Sequence, residues 1–429
     1  MNRLPVLLLA VAEANFKPGS ADLHIIYGMP AIEKINEKNR SEKTGEHQME
    51  TIDEETMDRL REELDEIDNQ MTALYEKRMK VCEQVADYKI QNGLRVFDKA
   101  IEKEKLDSVI EKGTTEFNKK GIRELYEQLM SMSRKVQYRK LMEEGALGRL
   151  PFIGFDKLET EGVRVVFQGV EGAYSQAAMK QYFGEDTKNF HVGTFREAME
   201  AIEEGSADYA VLPIENSSAG AVDQVYDLLV EFENYIVGEV IIPIEHMLVG
   251  LPDASIREIQ TVYSHPQGLM QTAKYLDKHP KWRQISVANT AVAAKKVLED
   301  EDVTQAAVCS EYAARLYGLQ ILARKINFES DNSTRFIVIT NQKIFLKQAG
   351  KISICFELPH ESGSLYRLLS HFIYNDLNMT KIESRPVEGR KFEYRFFVDF
   401  DGNLANPAVK NAIRGLREEA LNLKILGNY

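Results

Sequence analysis

Cysteine is scarce. Cys82, Cys309 and Cys355 are the three in 429 residues, and so few, scattered thiols point to a reduced cytosolic protein without a disulfide framework. The eight histidines form no HExxH pattern and pair with no CxxC, which argues against a metal site; no cofactor is expected. No apolar run approaches the roughly 18 residues of a membrane-spanning helix. Basic charge is also short. Lys and Arg number 54 against 67 Asp and Glu, a net charge of −13, which weighs against a general nucleic-acid binder with its broad basic surface. The rest is ordinary for a soluble globular protein, 44% apolar and 28% charged. The length is about three times that of a typical domain, enough for two to four.

Residues 1–50 are the poorest stretch. Leu4 to Ala12 is short and apolar after Arg3, a faint signal-peptide pattern. The polar run from Glu33 to Glu50 reads as disordered. We take this stretch as an upstream extension, with folding beginning near Met49 or Met57, in preference to an export signal.

From Met57 to Gln91 one apolar seam repeats in a 4-3-4-3 rhythm through Leu60, Leu64, Ile67, Met71, Leu74, Val81, Val85 and Tyr88. That is one long helix, about 52 Å at ~1.5 Å per residue. It outreaches a small domain and so is expected to pack against another chain. Asn92-Gly93 ends it; a second helix starts near Asp98 and a third near Gly121. One residue intrudes on the seam, Arg78. A buried guanidinium is costly unless paired, and Lys89 faces the same way around the helix. Two cations on an interior face suggest a pocket for an anion; the alternative is that Arg78 pairs with Asp98 or Glu102. Arg61 lies roughly 25 Å along the axis from Arg78, so it would serve the pocket of an antiparallel partner. Ser133 and Gln137, spaced i, i+4, share a face of the third helix.

These residues carry a resemblance. LREELDEIDNQMTALYEKR at 60–78, Lys89, the D-x-x-x-E of Asp98 and Glu102, and the S-x-x-x-Q of Ser133 and Gln137 make residues 51–145 similar to the all-helical chorismate mutase domain. The resemblance implies an intertwined dimer in which Arg61 of the second chain joins Arg78, Lys89, Asp98, Glu102, Ser133 and Gln137 around chorismate. The family often has Arg just before the glutamate; this chain has Ile101.

The period changes over residues 162–341. Short β-rich runs at 163–168, 207–215, 235–244, 261–264, 306–310 and 335–340 alternate with helical stretches, the pattern of doubly wound α/β sheets. Polar residues gather at strand ends, where such folds bind ligands. EGAYSQAA at 171–178, PIENSSAGAV at 213–222, YSHPQGLMQ at 263–271, NTAVAA at 289–294 and STRFIVI at 333–339 closely resemble prephenate dehydratase. The resemblance implies two lobes like those of periplasmic binding proteins, with Thr334 as the catalytic donor. Prephenate would be held by Glu215, Asn216, Ser217, Ser264, His265, Gln271, Arg335 and Phe336. In a regular strand Thr334 and Arg335 point to opposite faces, so both serve one pocket only if the strand begins there; an inter-lobe salt bridge is the alternative role for Arg335, and shaping the turn is the alternative for His265. IPIEHMLVG at 242–250 is a weaker match, with Glu245-His246 where the family often has paired histidines.

Residues 350–429 read as βαββαβ, a ferredoxin-like sandwich. GSLYRLLSHF at 363–372 and NMTKIESRPVEGR at 378–390 resemble the ACT regulatory domain. That implies phenylalanine binding by Gly363, Ser364, Leu365, Glu383, Ser384, Arg385 and Pro386, although Ser364 and Tyr366 depart from the family's Gly-Ala-Leu-Val.

The three resemblances together describe a cytoplasmic bifunctional enzyme, a homodimer or higher homo-oligomer, that converts chorismate to prephenate and prephenate to phenylpyruvate under phenylalanine feedback. Neither nucleic acid nor membrane is an expected partner. Two other readings stay open: a dehydratase whose mutase site has decayed, and a non-catalytic sensor of aromatic metabolites.

Overall fold

The computed structural model describes residues 54–144, 150–328 and 331–429; the expected extension at 1–50 lies outside them. The chain divides into two compact units, residues 1–70 and 71–429. The described part of the first is the opening of helix α1 (Glu54–Gln91), whose first turn carries Glu54 and Glu55, charges that suit a helix N-terminus. Within it Arg61 pairs with Asp58 at 3.0 Å, and Leu60, Leu64 and Ile67 are exposed.

The second unit takes up the rest of α1 and two more helices, α2 (Lys99–Ile110) and α3 (Glu116–Glu143). The Asp98 carboxylate caps α2 by accepting from the amides of Ala100 and Ile101 at 3.0 and 3.2 Å. Helix α3 begins earlier than its apolar face suggests. The Thr115 hydroxyl accepts from the Asn118 amide at 3.1 Å, a local start signal that places Gly121 inside the helix.

Two sheets follow. The smaller has five strands in the order Gln320–Ala323, Met247–Gly250, Gln305–Cys309, Thr261–Ser264 and Arg283–Ser286. The larger runs Met379–Pro386, Tyr394–Asp401, Lys351–Glu357, Leu421–Asn428, Tyr235–Pro243, Ser333–Thr340, Tyr209–Asn216, Arg164–Gln168 and Lys188–Val192, with Gly220–Ala221 beside Tyr209–Asn216. The chain leaves the larger sheet at 244–246, and the described residues 324–328 and 331–332 flank its return. The crossings run side by side: Ile244 donates its amide to Asn332 O at 2.8 Å, and Ile326 donates to His246 O at 2.9 Å. This is the expected two-lobed α/β arrangement. Its strands are mixed in direction; Ser333–Thr340 is antiparallel to both neighbours.

The last four strands of the chain, with helices Ser364–Tyr374 and Pro407–Glu419, have the βαββαβ order read from the sequence. They do not form a separate sheet. Gly427 pairs with Ile236 in parallel, and a Cβ on Gly427 would stand 2.1 Å from the Ile236 carbonyl oxygen. Only glycine permits that approach. One apolar cluster then runs through the junction, joining Leu212, Ile236 and Ile337 to Cys355, Phe397 and Leu426.

Candidate active sites

Helices α1, α2 and α3 enclose a cavity of about 860 Å³, inside the range of small-molecule sites. Arg78, Lys89, Arg95, Lys99 and Lys105 line it against two carboxylates, Asp98 and Glu102. A surplus of cations in a chain of net charge −13 suits an anionic ligand. Arg78 donates to the Leu129 carbonyl at 3.0 Å and to the Ser133 hydroxyl, so its partners here are neutral rather than Asp98 or Glu102. Lys89 donates to Val96 O at 2.6 Å; burial lowers its pKa, against the pull of Glu102 and Asp98. Burial raises the pKa of Glu102, while Arg134 opposes the rise. Gln137 donates through Nε2 to Ser133 O at 3.2 Å and leaves Oε1 buried without a partner. Rotating the amide exchanges the two ends. Cys82, Val85, Val96, Phe97 and Met130 supply the apolar wall. Thus Arg78, Lys89, Asp98, Glu102, Ser133 and Gln137 meet at one cavity.

The residues expected around Thr334 divide. Asn216 donates from Nδ2 to Thr334 Oγ1 at 2.9 Å and to Asn332 Oδ1 at 2.8 Å, and Ser217 accepts from the Ser333 amide at 2.9 Å. With its oxygen already accepting, Thr334 keeps its own proton free to donate. Asn332 Nδ2 is buried with no hydrogen-bond partner. Gln271 lies at the crossing, its Oε1 2.8 Å from Nε2 of the buried His246. Burial lowers the pKa of that imidazole, Gln271 pulling the other way, and its Nδ1 has no partner.

The others serve the fold. Arg335 follows Thr334 in the strand Ser333–Thr340, where both ladders keep their register across this pair, and so it faces the opposite side. There it pairs with Glu215, with Asp399 at 3.3 Å and with Glu239 at 3.6 Å. Glu215 turns to the same side and takes Lys381 at 2.8 Å; these cations hold its pKa low in spite of burial. Arg335 and Glu215 therefore tie the Ser333–Thr340 and Tyr209–Asn216 strands to the C-terminal strands, on the side of the sheet away from Thr334. Ser264 is fully buried and donates to Val308 O at 2.8 Å, bracing two adjacent strands. Phe336 is 2% exposed in a core with Phe167, Met179 and Val240. His265 caps the helix Pro266–Gln271, its Nδ1 accepting from the Gln267 amide at 3.2 Å, which makes it the shaper of a turn.

At the C-terminal module a cavity of about 460 Å³ opens at the start of helix Ser364–Tyr374. Ser364, Leu365, Leu358, Tyr394 and Phe396 line it, and Gly363 enters the helix with φ +75°. Glu383, Ser384, Arg385 and Pro386 do not line it; they lie on the neighbouring edge strand Met379–Pro386, where Ser384 pairs with Phe396 and Pro386 with Tyr394. Arg385 is spent on Asp223 and, at 2.7 Å, on Asp227 of helix Asp223–Glu231. Within one chain this motif does not reach the cavity.

Comparison with known proteins fixes the family. Residues 60–138 match the family model described as chorismate mutase type II, and residues 165–344 match that of prephenate dehydratase. A bifunctional chorismate mutase/prephenate dehydratase of Aquifex aeolicus (strain VF5) is 32% identical, over 87% of this chain and 98% of its own. The chain belongs to the bifunctional chorismate mutase/prephenate dehydratase family. A prephenate dehydratase from Arthrobacter aurescens, solved in complex with L-Phe, superposes with a TM-score of 0.58 at 31% identity, covering 62% of this chain and 89% of that one. A chain described as a novel type of quorum quenching acylase superposes equally well, with TM-score 0.57, 30% identity, and coverage of 62% and 96%. The α/β fold alone therefore does not settle the chemistry, and the polar groups of the site must.

Two residues escaped the sequence reading of this bifunctional chain. Asn332 stands just before the quoted STRFIVI run and one residue before the strand begins, and its closeness in sequence to Thr334 is the signal that it offers. Arg134, buried beside Glu102, gave no signal, because its partners come from distant segments.

Proposed function

We propose that the helical cavity carries out the chorismate mutase reaction and that Thr334, Asn216 and Asn332 form the dehydratase centre. The observation that carries this reading is the gathering of Arg78, Lys89, Glu102, Ser133 and Gln137 on one cation-rich cavity. The mutase reaction is a pericyclic rearrangement of a dicarboxylate and needs no nucleophile. Arg78 and Lys89 hold the carboxylates and select a compact conformer. Lys89 and Gln137, its amide turned, donate to the ether oxygen as negative charge builds there. Glu102 accepts from the ring hydroxyl, and Asp98 holds the start of α2. Arg61 completes the site from a second copy, docked along the α1 seam, of which Leu74, Val81, Val85 and Tyr88 are exposed in the single chain.

In the dehydratase step prephenate loses CO₂ as its ring hydroxyl departs and the ring becomes aromatic. Thr334 donates a hydrogen bond to that leaving oxygen while Asn216 steadies Thr334. Gln271 and His246 sit where the lobes would close on the substrate. The C-terminal module acts as an ACT-type sensor of phenylalanine, with Gly363 to Leu365 at its cavity and the Glu383–Pro386 edge supplied by a second copy. The enzyme works in the cytoplasm; among the described residues no helix is long and apolar enough to cross a membrane.

The test supplies chorismate and, separately, prephenate. Arg78→Ala is expected to abolish chorismate turnover, by about a hundredfold or more, and to spare prephenate turnover; Thr334→Ala is expected to do the reverse. Normal chorismate turnover by Arg78→Ala would displace the mutase site from this cavity. An unchanged initial rate with millimolar phenylalanine would remove the sensor role.

A further inference from the structure

Arg134 does not line the mutase cavity. It lies behind it, about 5% exposed, with its guanidinium 5.1 Å from the ring centre of Phe97, which does. One terminal nitrogen donates to Glu102; the other donates to Glu419 Oε1 at 2.7 Å. Glu419 ends the helix Pro407–Glu419 of the C-terminal module, and the same oxygen is 3.2 Å from Nε2 of the buried His371 on helix Ser364–Tyr374. Two neighbours of Arg134 also meet this module: Lys135 donates to Ser370 O at 2.9 Å, and Tyr138 donates to Glu418.

We propose that Arg134 is a positioning residue for the mutase reaction, aimed from the C-terminal module by Glu419, so that the sensor module helps set the charge and orientation of Glu102. The inference rests on the reading of the cavity as the mutase site. Its physical content is a contest for one guanidinium. Glu102 must stay ionised to accept from the substrate hydroxyl, yet it sits half-buried in a cavity that must also admit a dianion. Arg134 offsets that charge, and its fork grips two carboxylates at once. Glu419 holds the fork in place and also claims part of its charge.

Groups from every packed element act on Glu102: Lys89 on α1, Arg134 on α3 and Glu419 on the C-terminal helix, with Asp98 at the cap of α2 and Lys105 on α2 lining the same cavity. Burial pushes the Glu102 pKa up; Arg134 and Lys89 pull it down, and Glu419 pushes it up. Mutase activity that needs ionised Glu102 is lost as pH falls through that pKa. Removing Arg134 must therefore move the acid limb to higher pH, and neutralising Glu419 must move it to lower pH.

The experiment measures mutase kcat/KM against pH in the full chain, for wild type, Arg134→Gln, Arg134→Lys and Glu419→Gln, with dehydratase rate as the control. Arg134→Gln is expected to lower mutase kcat/KM by about tenfold to a hundredfold and to raise the acid limb by about one pH unit. Arg134→Lys, which keeps the charge but loses the fork, is expected to lower kcat/KM with a smaller movement of the limb. Glu419→Gln is expected to lower the limb, and dehydratase turnover without phenylalanine stays at the wild-type rate in all three. Unmoved limbs, or limbs moving in one direction in both glutamine variants, would overturn the proposal. If Arg134→Gln does not fold, as judged by its melting curve, the sign of the Glu419→Gln shift decides. A parallel Arg78→Ala variant separates the two ideas: normal chorismate turnover there defeats the mutase site itself, whereas lost turnover with unmoved limbs defeats Arg134 alone.

Discussion

At the scale of single residues, the strand Ser333–Thr340 shows how neighbours in one motif take unlike duties. Thr334 meets Asn216, which also reaches Asn332, Arg335 turns to the carboxylates behind the sheet, and Phe336 enters the core. Thr334→Val, which removes only a hydroxyl, is expected to end prephenate turnover with little change in melting temperature. Phe336→Ala leaves a cavity and is expected to cost about 3–5 kcal/mol of stability, read as a lowered melting temperature with chemistry retained in the folded fraction. The reverse pattern would mean that the two side chains had been given each other's duties. The alternation rule already placed Thr334 and Arg335 on opposite sides in the bare sequence. Family likeness draws them together, and the unbroken register at this pair, with the ion pairs of Arg335, decides for the rule. Ser264 was misread for another reason. Strand ends attract ligands in such folds, but a hydroxyl there is equally able to brace the next strand.

At the scale of elements, α1 was legible because its apolar repeat is long and its exception, Arg78, is conspicuous. Its exposed seam is the expected dimer face. Leu74→Asp would bury a charge there, at a cost of at least about 2 kcal/mol; sedimentation is expected to show single chains and the mutase rate to fall. An unchanged sedimentation coefficient would contradict the pairing. The far side of α3 was not legible, since Arg134, Lys135 and Tyr138 read as the polar face of an amphipathic helix until the C-terminal helices cover them. Lys135 is the measurable case. Burial lowers its pKa to about 8, below its ordinary value near 10.5, so the unfolded chain holds that proton over a range where the folded chain has released it. Stability therefore rises with pH between about 8 and 10.5. The melting-temperature gap between wild type and Lys135→Met is expected to change in favour of wild type across that window; a gap that is flat with pH would refute a buried, titrating amine.

At the scale of the whole molecule, the segment order and the βαββαβ closing module could be read from the pattern of strands and helices. The merging of its strands with the catalytic sheet could not, because it depends on one glycine contact and on ion pairs between segments far apart in sequence. Arg335, Glu215, Lys381 and Asp399 make that junction. Asp399→Asn is expected to weaken phenylalanine inhibition of the dehydratase severalfold, within the roughly 5- to 150-fold span of allosteric couplings, with mutase rate unchanged; titration of the inhibition checks it, and an unaltered inhibition curve would place the coupling elsewhere. The shared apolar cluster has a further effect. Leu426 and Phe397 are bricks in the same wall as Ile337 and Leu212, so the closing module is no detachable cassette. Swapping in a relative's module would require recutting the dehydratase half to match, and inherited changes at this seam would have to spread by coordinated substitutions on both of its sides.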